Sequence, residues 1–154
     1  MPEVKAYKPG SRSSVSGQVL QEPYPADKAR VVVREMADNL ALDLVDNGMV
    51  TNQLVLTVGY DRENLDDPRR RQSYHGPVTT DRYGRSIPKH AVGTENFPYT
   101  SSANDLQKAA AVLYDRIVDK NLLIRRLSIL ANNLLAERAA PNGPQPEHLA
   151  LFTH

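Results

Sequence analysis

Apolar and polar positions along the chain follow two spacings, which divide the sequence into six predicted elements. Two segments place apolar side chains three or four residues apart, the spacing of one helix face. Four segments instead alternate apolar and polar side chains, which is typical of strands with one buried face. The predicted helices are about 26–46 and 100–121, and the predicted strands are 13–20, 51–61, 89–97 and about 123–131.

Local signals support the ends of both helices. Pro25 suits the first turn of the first helix, and Gly48 is typical of the residue that follows a helix C-terminus. Ser102, with Asp105 three residues later, resembles a capping box at the start of the second helix.

Residues 61–88 connect the second and third strands and are too long for an ordinary loop, so structure or function is expected within them. The stretch PVTTDRYGRSIP predicts a hairpin whose turn is Asp81–Gly84. The preceding stretch, 62–76, has no periodic pattern and is expected to be mobile.

The order strand, helix, strand, strand, helix, strand predicts an α+β fold. Two split β-α-β units give a four-stranded antiparallel sheet with both helices on one face. The uncovered side would then carry hydroxyl, amide and guanidinium groups, which suit phosphate oxygens. The side chains predicted on this side are Ser14, Ser16, Gln18, Thr57, Arg126 and Ser128.

Charge is distributed unevenly, although the net charge is only +1. Acidic residues outnumber basic ones in segment 27–46, whereas segment 120–138 is basic with Glu137 as its one acid. A small net charge argues against a dedicated nucleic-acid-binding domain, but this polarity can still turn one basic face toward an anion.

Composition excludes several classes of protein. No apolar run approaches the roughly 18 residues that a membrane span needs, and the N-terminus lacks the apolar core of a signal peptide, so a cytoplasmic location is expected. The absence of cysteine excludes disulfides and thiolate metal sites. The histidines have no ligand-like spacing, so no metal is predicted.

Several polar residues have an ordinary structural interpretation beside a functional one. Arg125 and Arg126 begin an apolar strand, where they either contact an anion or discourage edge-to-edge aggregation. The run Arg69–Arg71 is more readily a solvated loop, and Asp66–Asp67 are more readily turn residues than metal ligands. The serines of the first strand have no basic partner, so no catalytic residue is predicted.

Five stretches together resemble the C-terminal domain of the Y-family DNA polymerases, most closely the UmuC-like branch associated with the SOS response. They follow the order of the predicted elements and cover about residues 12–135. The stretches are RSSVSGQVL (12–20), LVLTVGYD (54–61), DRYGRSIPKHAVGT (81–94), YTSSANDLQKAAAVLYDRI (99–117) and LLIRRLSILANNL (122–134). In that family the domain is called the little finger, or polymerase-associated domain.

The resemblance implies a domain that grips duplex DNA in the major groove and contacts both backbones during translesion synthesis and DNA repair. Carried over by position, the first-strand motif lies near one phosphate backbone and the last-strand motif near the other. Such contacts do not depend on DNA sequence. The expected DNA-binding residues are Ser14, Val15, Ser16, Thr57, Lys89, His90, Arg125, Arg126 and Ser128.

The family's chemistry belongs to a separate palm domain, whose carboxylates bind two metal ions, normally Mg²⁺. No stretch of this chain matches that palm, nor the fingers or thumb. The resemblance therefore implies a non-catalytic part of a DNA-directed DNA polymerase that needs no cofactor of its own.

The last residues resemble the peptide by which bacterial Y-family polymerases dock on the sliding clamp, Gln-Leu-(Ser/Asp)-Leu-Phe. Leu149, Leu151 and Phe152 match its apolar anchors, and His148 stands in place of the glutamine. The alternative is that this tail folds back on the domain. The expected organisation is a linker at 1–11, a DNA-binding domain at 12–136 with an insertion at 61–88, a flexible linker at 137–147 and the clamp-binding peptide at 148–154.

Two other functional classes stay open at this stage. An RNA-binding module with the same strand order would need stacking aromatic residues in mid-strand, whereas Tyr60 lies near a strand end on the apolar side. An oligomerisation or ligand-sensing domain of ferredoxin-like fold would use an apolar outer face rather than serines and arginines.

Overall fold

The computed structural model describes residues 13–139, which form a two-layer domain of helices on a sheet. The strands are β1 (Ser14–Tyr24), β2 (Met49–Tyr60), β3 (Val78–Thr80), β4 (Ser86–Pro88), β5 (Ala91–Thr100), β6 (Ile124–Asn132) and β7 (Leu135–Ala136). The helices are α1 (Ala26–Asp46), α2 (Glu63–Asp66), α3 (Pro68–Ser73) and α4 (Ala103–Ile117), and a 3-10 helix spans Glu137–Ala139. Within this range no helix is long and apolar enough to cross a membrane.

The main sheet has the strand order β1-β6-β2-β5, and each neighbouring pair is antiparallel. It follows that β1 and β2 run parallel to each other with β6 between them, joined by α1. In the same way β5 and β6 run parallel with β2 between them, joined by α4. The predicted pair of split β-α-β units is therefore confirmed, and the short β7 adds a pairing at the start of β2.

Both long helices pack on one side of the sheet and share a single core with it. Leu56 of β2 and Ile129 of β6 are opposite each other and buried in the same cluster as Val33 of α1 and Leu113 of α4. The two helices are also tied together, because the Tyr114 hydroxyl donates to the carbonyl of Ala26 over 2.6 Å. The α+β fold with both helices on one face is confirmed.

The predicted ends of α1 and the predicted cap at the start of α4 are confirmed by the backbone geometry, whereas α4 ends at Ile117, four residues before the predicted end at 121. Pro25 occupies the N-cap of α1, and the helix stops at Asn47 and Gly48, whose φ of 64° favours glycine. At the start of α4 the Ser102 hydroxyl accepts from the Asp105 backbone N–H over 3.3 Å.

The insertion between β2 and β5 contains two short helices and a short hairpin, joined by turns and irregular residues. Where 62–76 showed no pattern in the sequence, the structure has two short helices, α2 and α3, and the mobility of this segment stays a prediction. The predicted hairpin is present as β3 and β4, and the Gly84 N–H donates to the carbonyl of Asp81 over 3.0 Å, as the predicted turn requires.

The polar residues of β1 lie on the opposite side of the sheet from the one predicted. Residues that pair directly across antiparallel strands point to the same side of a sheet. Ser16 pairs with Ile129, which is buried under the helices, and Ser14 and Gln18 share the side of Ser16. The cause is Leu20, which has the same alternation as these three residues and is buried in the core.

Candidate nucleic-acid interface

We call the uncovered side of the main sheet the open face. Its residues alternate with the core residues along each strand, so the strand pairing defines them directly. They are Val15, Gly17 and Val19 from β1, Arg126, Ser128, Leu130 and Asn132 from β6, Gln53, Val55, Thr57 and Gly59 from β2, and Val92, Thr94 and Asn96 from β5.

Two hydroxyls lie side by side at the centre of the open face. Ser128 of β6 pairs directly with Thr57 of β2, as the prediction for these two residues requires. On β1 the residue opposite Ser128 is Gly17, which adds no side chain that could cover the serine hydroxyl. The pair can therefore donate hydrogen bonds to an anion that approaches the sheet.

Arg126 lies at one end of the open face, and the strand beside it leaves room for its side chain. It pairs with Gly59 of β2, where a Cβ atom would come within 3.1 Å of the Arg126 Cβ. The Arg126 side chain is exposed, and it has no ion pair or hydrogen bond within residues 13–139. An exposed guanidinium without a carboxylate partner is available to bind a phosphate bidentately.

Three further basic residues lie at the same end of the sheet as Arg126, and we call the four residues Lys89, His90, Arg125 and Arg126 the basic end. Lys89 and His90 are exposed and directly precede β5, whose first residue pairs with Val58. Arg125 is half-buried and lies where the pairing of β2 with β6 shifts register. Its Nη1 atom forms an ion pair with Asp61 Oδ1 over 3.6 Å. Arg125 is thus partly neutralised, whereas Arg126 keeps its full charge for a ligand.

The opposite end of the open face carries a ladder of side-chain amides instead of charges. Asn132 Nδ2 donates to Gln53 Oε1 over 2.7 Å, and Gln53 Nε2 donates to Asn96 Oδ1 over 2.8 Å. The ladder crosses three strands and holds its members in place. No sequence signal reveals it, because the three residues become neighbours only through the strand register.

An apolar row separates the hydroxyl pair from the amide ladder. Val15 pairs with Leu130, and Leu130 pairs with Val55, so three aliphatic side chains lie next to one another. Val15 is 66% exposed. The open face is therefore more apolar than predicted, since its β1 residues were expected to be serines.

The predicted site residues are thus only partly brought together. Thr57 and Ser128 lie on the open face, and Lys89, His90, Arg125 and Arg126 form the basic end. Val15 is on the open face, whereas Ser14 and Ser16 are on the helix-covered side. The residues predicted for clamp binding, His148, Leu149, Leu151 and Phe152, lie outside the described residues. Among residues 13–139 no group of three or more histidines and carboxylates could hold a metal ion.

The fold and its open face belong to a class of two-layer α+β domains that leave one side of an antiparallel sheet uncovered. The family described as "impB/mucB/samB family C-terminal domain" matches residues 11–147, and the chain therefore belongs to this family. The resemblance to the little finger domain of the Y-family polymerases is thereby confirmed.

Comparison with solved structures gives the same fold. A post-insertion binary complex of Dbh DNA polymerase aligns over 81% of this chain with a TM-score of 0.52 and 8% identity. An insertion ternary complex of Dbh DNA polymerase aligns over 81% with a TM-score of 0.50 and 10% identity. In both cases the chain spans 29% of the length of the polymerase chain. No curated protein sequence matches the chain.

Proposed function

We propose that the domain holds duplex DNA by its phosphate backbone, with the basic end of the open face against one strand. The observation that carries this proposal is Arg126, which is exposed and free of acidic partners within the described residues. Lys89 and His90 lie at the same end, and the hydroxyls of Thr57 and Ser128 continue the polar surface toward the centre of the sheet.

The distribution of charge supports a single orientation on DNA. The acidic side chains of α1 lie in the helix layer, on the opposite side of the sheet from the basic end. A polyanion is therefore repelled by the helix layer and attracted to the open face. This polarity orients the domain even though the net charge is only +1.

Binding of this kind does not depend on base sequence. Guanidinium and hydroxyl groups that contact phosphates fix the position of a protein on DNA but carry no sequence information. The amides that could read base edges already bond to one another in the ladder of Gln53, Asn96 and Asn132. We expect a dissociation constant of roughly 10⁻⁴ to 10⁻⁶ M at physiological salt, as is typical of non-specific binding.

Replacing Arg126 with alanine should weaken duplex binding about fivefold to tenfold at low salt, because one charge-assisted phosphate contact is lost. The slope of the logarithm of the binding constant against the logarithm of salt concentration should also become shallower by about 0.9, the value for one phosphate contact. Fluorescence anisotropy with several random duplexes measures both quantities. The matched control is Arg34→Ala, which removes an exposed arginine from α1 in the helix layer. Equal losses for the two variants, or a loss confined to one DNA sequence, would contradict a backbone grip at the basic end.

The parent protein is, on this proposal, a Y-family DNA polymerase of the UmuC-like branch that acts in translesion synthesis, DNA repair and the SOS response. Family membership supports this, and the chain corresponds in length to under a third of the Dbh polymerase chains, 29%. The domain would then work in the cytoplasm without catalytic residues of its own. Polymerisation and its Mg²⁺ would belong to the rest of the parent enzyme.

We further propose that residues 148–154 bind a bacterial sliding clamp through Leu149, Leu151 and Phe152. Deleting this segment should abolish capture of the domain on an immobilised clamp, because apolar anchors of this kind dominate peptide docking. The same deletion should leave duplex affinity unchanged within about twofold, since non-specific affinity comes from phosphate contacts. Capture that survives the deletion would show that the clamp, if bound at all, contacts another surface.

Self-association is a second candidate, and the apolar row of the open face favours it. Val15, Leu130 and Val55 form an aliphatic strip that a second copy of the domain could cover. Sedimentation velocity without DNA separates the two functions. A stable dimer that dissociates when duplex is added would show that the two partners compete for the open face.

A further inference from the structure

The hairpin of β3 and β4 presents an aromatic ring to solvent at its turn. We call residues Asp81–Arg85 the hairpin tip. Tyr83 at its centre is 70% exposed, so the ring is not part of the core and its packing adds little to the stability of the fold. A single exposed ring is ordinary on a protein surface, so a binding role for Tyr83 depends on the groups around it.

The hairpin tip is held in one conformation by Asp81. Its Oδ1 accepts from the backbone N–H of Tyr83 over 2.9 Å and from that of Arg85 over 3.0 Å. Its Oδ2 accepts from Arg85 Nε over 3.0 Å, and Gly84 takes a φ of 79° that glycine adopts without strain. The backbone N–H of Arg85 is the main cause that lowers the pKa of Asp81, so the carboxylate stays ionised at neutral pH. A turn fixed in this way loses little entropy when a ligand binds Tyr83.

Two guanidinium groups lie over the exposed ring. Arg85 Cζ is 5.0 Å from the centre of the Tyr83 ring, and Arg82 Cζ is 5.9 Å from it. An exposed aromatic ring with arginines is the combination that binds single-stranded nucleic acid. A base that stacks on Tyr83 takes the place of a guanidinium over the ring, and the displaced cation meets the backbone. Bases within a duplex already stack on each other, so only an unpaired base can use such a ring.

The hairpin is also positioned next to the proposed duplex grip. Its second strand, β4, ends at Pro88, and Lys89 and His90 of the basic end follow directly. The Lys89 backbone N–H donates to the carbonyl of Pro77 over 3.0 Å, which closes the base of the hairpin directly before β5.

We propose that the hairpin tip binds an unpaired base of single-stranded DNA adjoining the duplex, with the base stacked on Tyr83 and the phosphates beside Arg82 and Arg85. This inference rests on the proposed duplex grip and extends it from the duplex to the single strand next to it. It also gives the insertion between β2 and β5 a function.

The experiment uses the absence of tryptophan from the chain. Tyr83→Trp introduces a single indole at the hairpin tip, and its fluorescence is quenched when a base stacks on it. The full chain is titrated with a blunt duplex, with the same duplex carrying a short single-stranded overhang, and with that overhang made abasic. We expect strong quenching by the overhang with bases and little by the other two substrates. Val112→Trp, at a position on α4 that is 51% exposed, is the matched control and should respond to none of them.

Affinity provides the second measurement. Tyr83→Ala should weaken binding of the overhang substrate about fivefold to tenfold, which is about 1.0–1.4 kcal/mol and lies in the lower part of the range for stacking of one base. The same variant should leave blunt-duplex affinity and the midpoint of thermal unfolding unchanged.

The outcomes separate the two proposals. Equal quenching by the blunt duplex and the overhang, or an equal affinity loss on both, overturns the stacking role of Tyr83. If the blunt duplex binds but the overhang adds neither affinity nor quenching, only the hairpin proposal fails. If the overhang quenches the indole while Arg126→Ala leaves blunt-duplex affinity unchanged, the hairpin proposal stands and the grip at the basic end fails.

Discussion

Replacing Asn64 with leucine is expected to lower the free energy of unfolding by about 2–4 kcal/mol, since it removes a buried and fully bonded amide. Asn64 lies in α2 of the insertion and is 0% exposed. Its Oδ1 accepts from the Leu123 backbone N–H over 2.8 Å, and its Nδ2 donates to the carbonyls of Asp61 and Leu123 over 2.7 and 3.0 Å. Leucine of similar volume would leave the Leu123 N–H buried without a partner.

Urea denaturation measures this effect as a lower midpoint with an unchanged slope. Asn104→Leu is the matched control, because Asn104 is exposed in the first turn of α4 and its replacement should change stability by less than about 0.5 kcal/mol. A loss below about 1 kcal/mol for Asn64→Leu would mean that the Leu123 N–H finds another partner, and the insertion is then not anchored by this amide.

The anchor at Asn64 also links the insertion to the candidate interface. Leu123 directly precedes β6, which begins with Ile124, Arg125 and Arg126. The backbone N–H of Asp61, whose carboxylate pairs with Arg125, donates to the carbonyl of Leu123 over 3.0 Å. The amide of Asn64 thus helps to fix the position of the basic end, although it contacts neither arginine among its described hydrogen bonds.

Features that depend on neighbouring residues were predicted well from the sequence. The apolar spacing located α1 and α4, and Pro25, Gly48 and Ser102 marked their ends, because helix faces and caps involve residues within about one turn of each other. The turn of the β3–β4 hairpin was found for the same reason. The alternation of β2 and β6 also gave the correct buried side, since each has a continuous apolar side.

The side of β1 could not be predicted with the same reasoning, because β1 is an edge strand with few buried residues. Val15 and Val19 form its apparent apolar side, yet both are exposed on the open face. Leu20 alone reaches the core, and its burial decides the orientation of the strand. A single buried leucine outweighs two valines because α1 covers the sheet at Leu20 and nothing within the described residues covers Val15.

The contacts that complete the candidate interface were beyond prediction because they join distant parts of the chain. Asn64 and Leu123 are 59 residues apart, and Gln53 and Asn132 are 79 apart. Amides in a polar loop or on an exposed strand look the same in a sequence whether or not they meet a partner. Only the strand register and the position of the insertion bring them together.

Gly93 on β5 is the second position where one substitution should have a large effect, because α4 lies directly against its backbone. A Cβ atom on Gly93 would be 2.6 Å from Ile117 Cγ2 and 3.0 Å from Leu113 Cδ2. Gly93→Val should lower the free energy of unfolding by about 2–3 kcal/mol, as overpacking of a filled core does. Combining it with Ile117→Ala should recover at least about 1 kcal/mol relative to the sum of the single changes, since the alanine vacates the space that valine needs.

Gly17→Val on the open face, where the nearest atom would be 3.9 Å away, is the control and should cost less than about 0.5 kcal/mol. Strictly additive effects of Gly93→Val and Ile117→Ala in urea denaturation would show that the close approach of α4 to β5 is not what makes glycine necessary there.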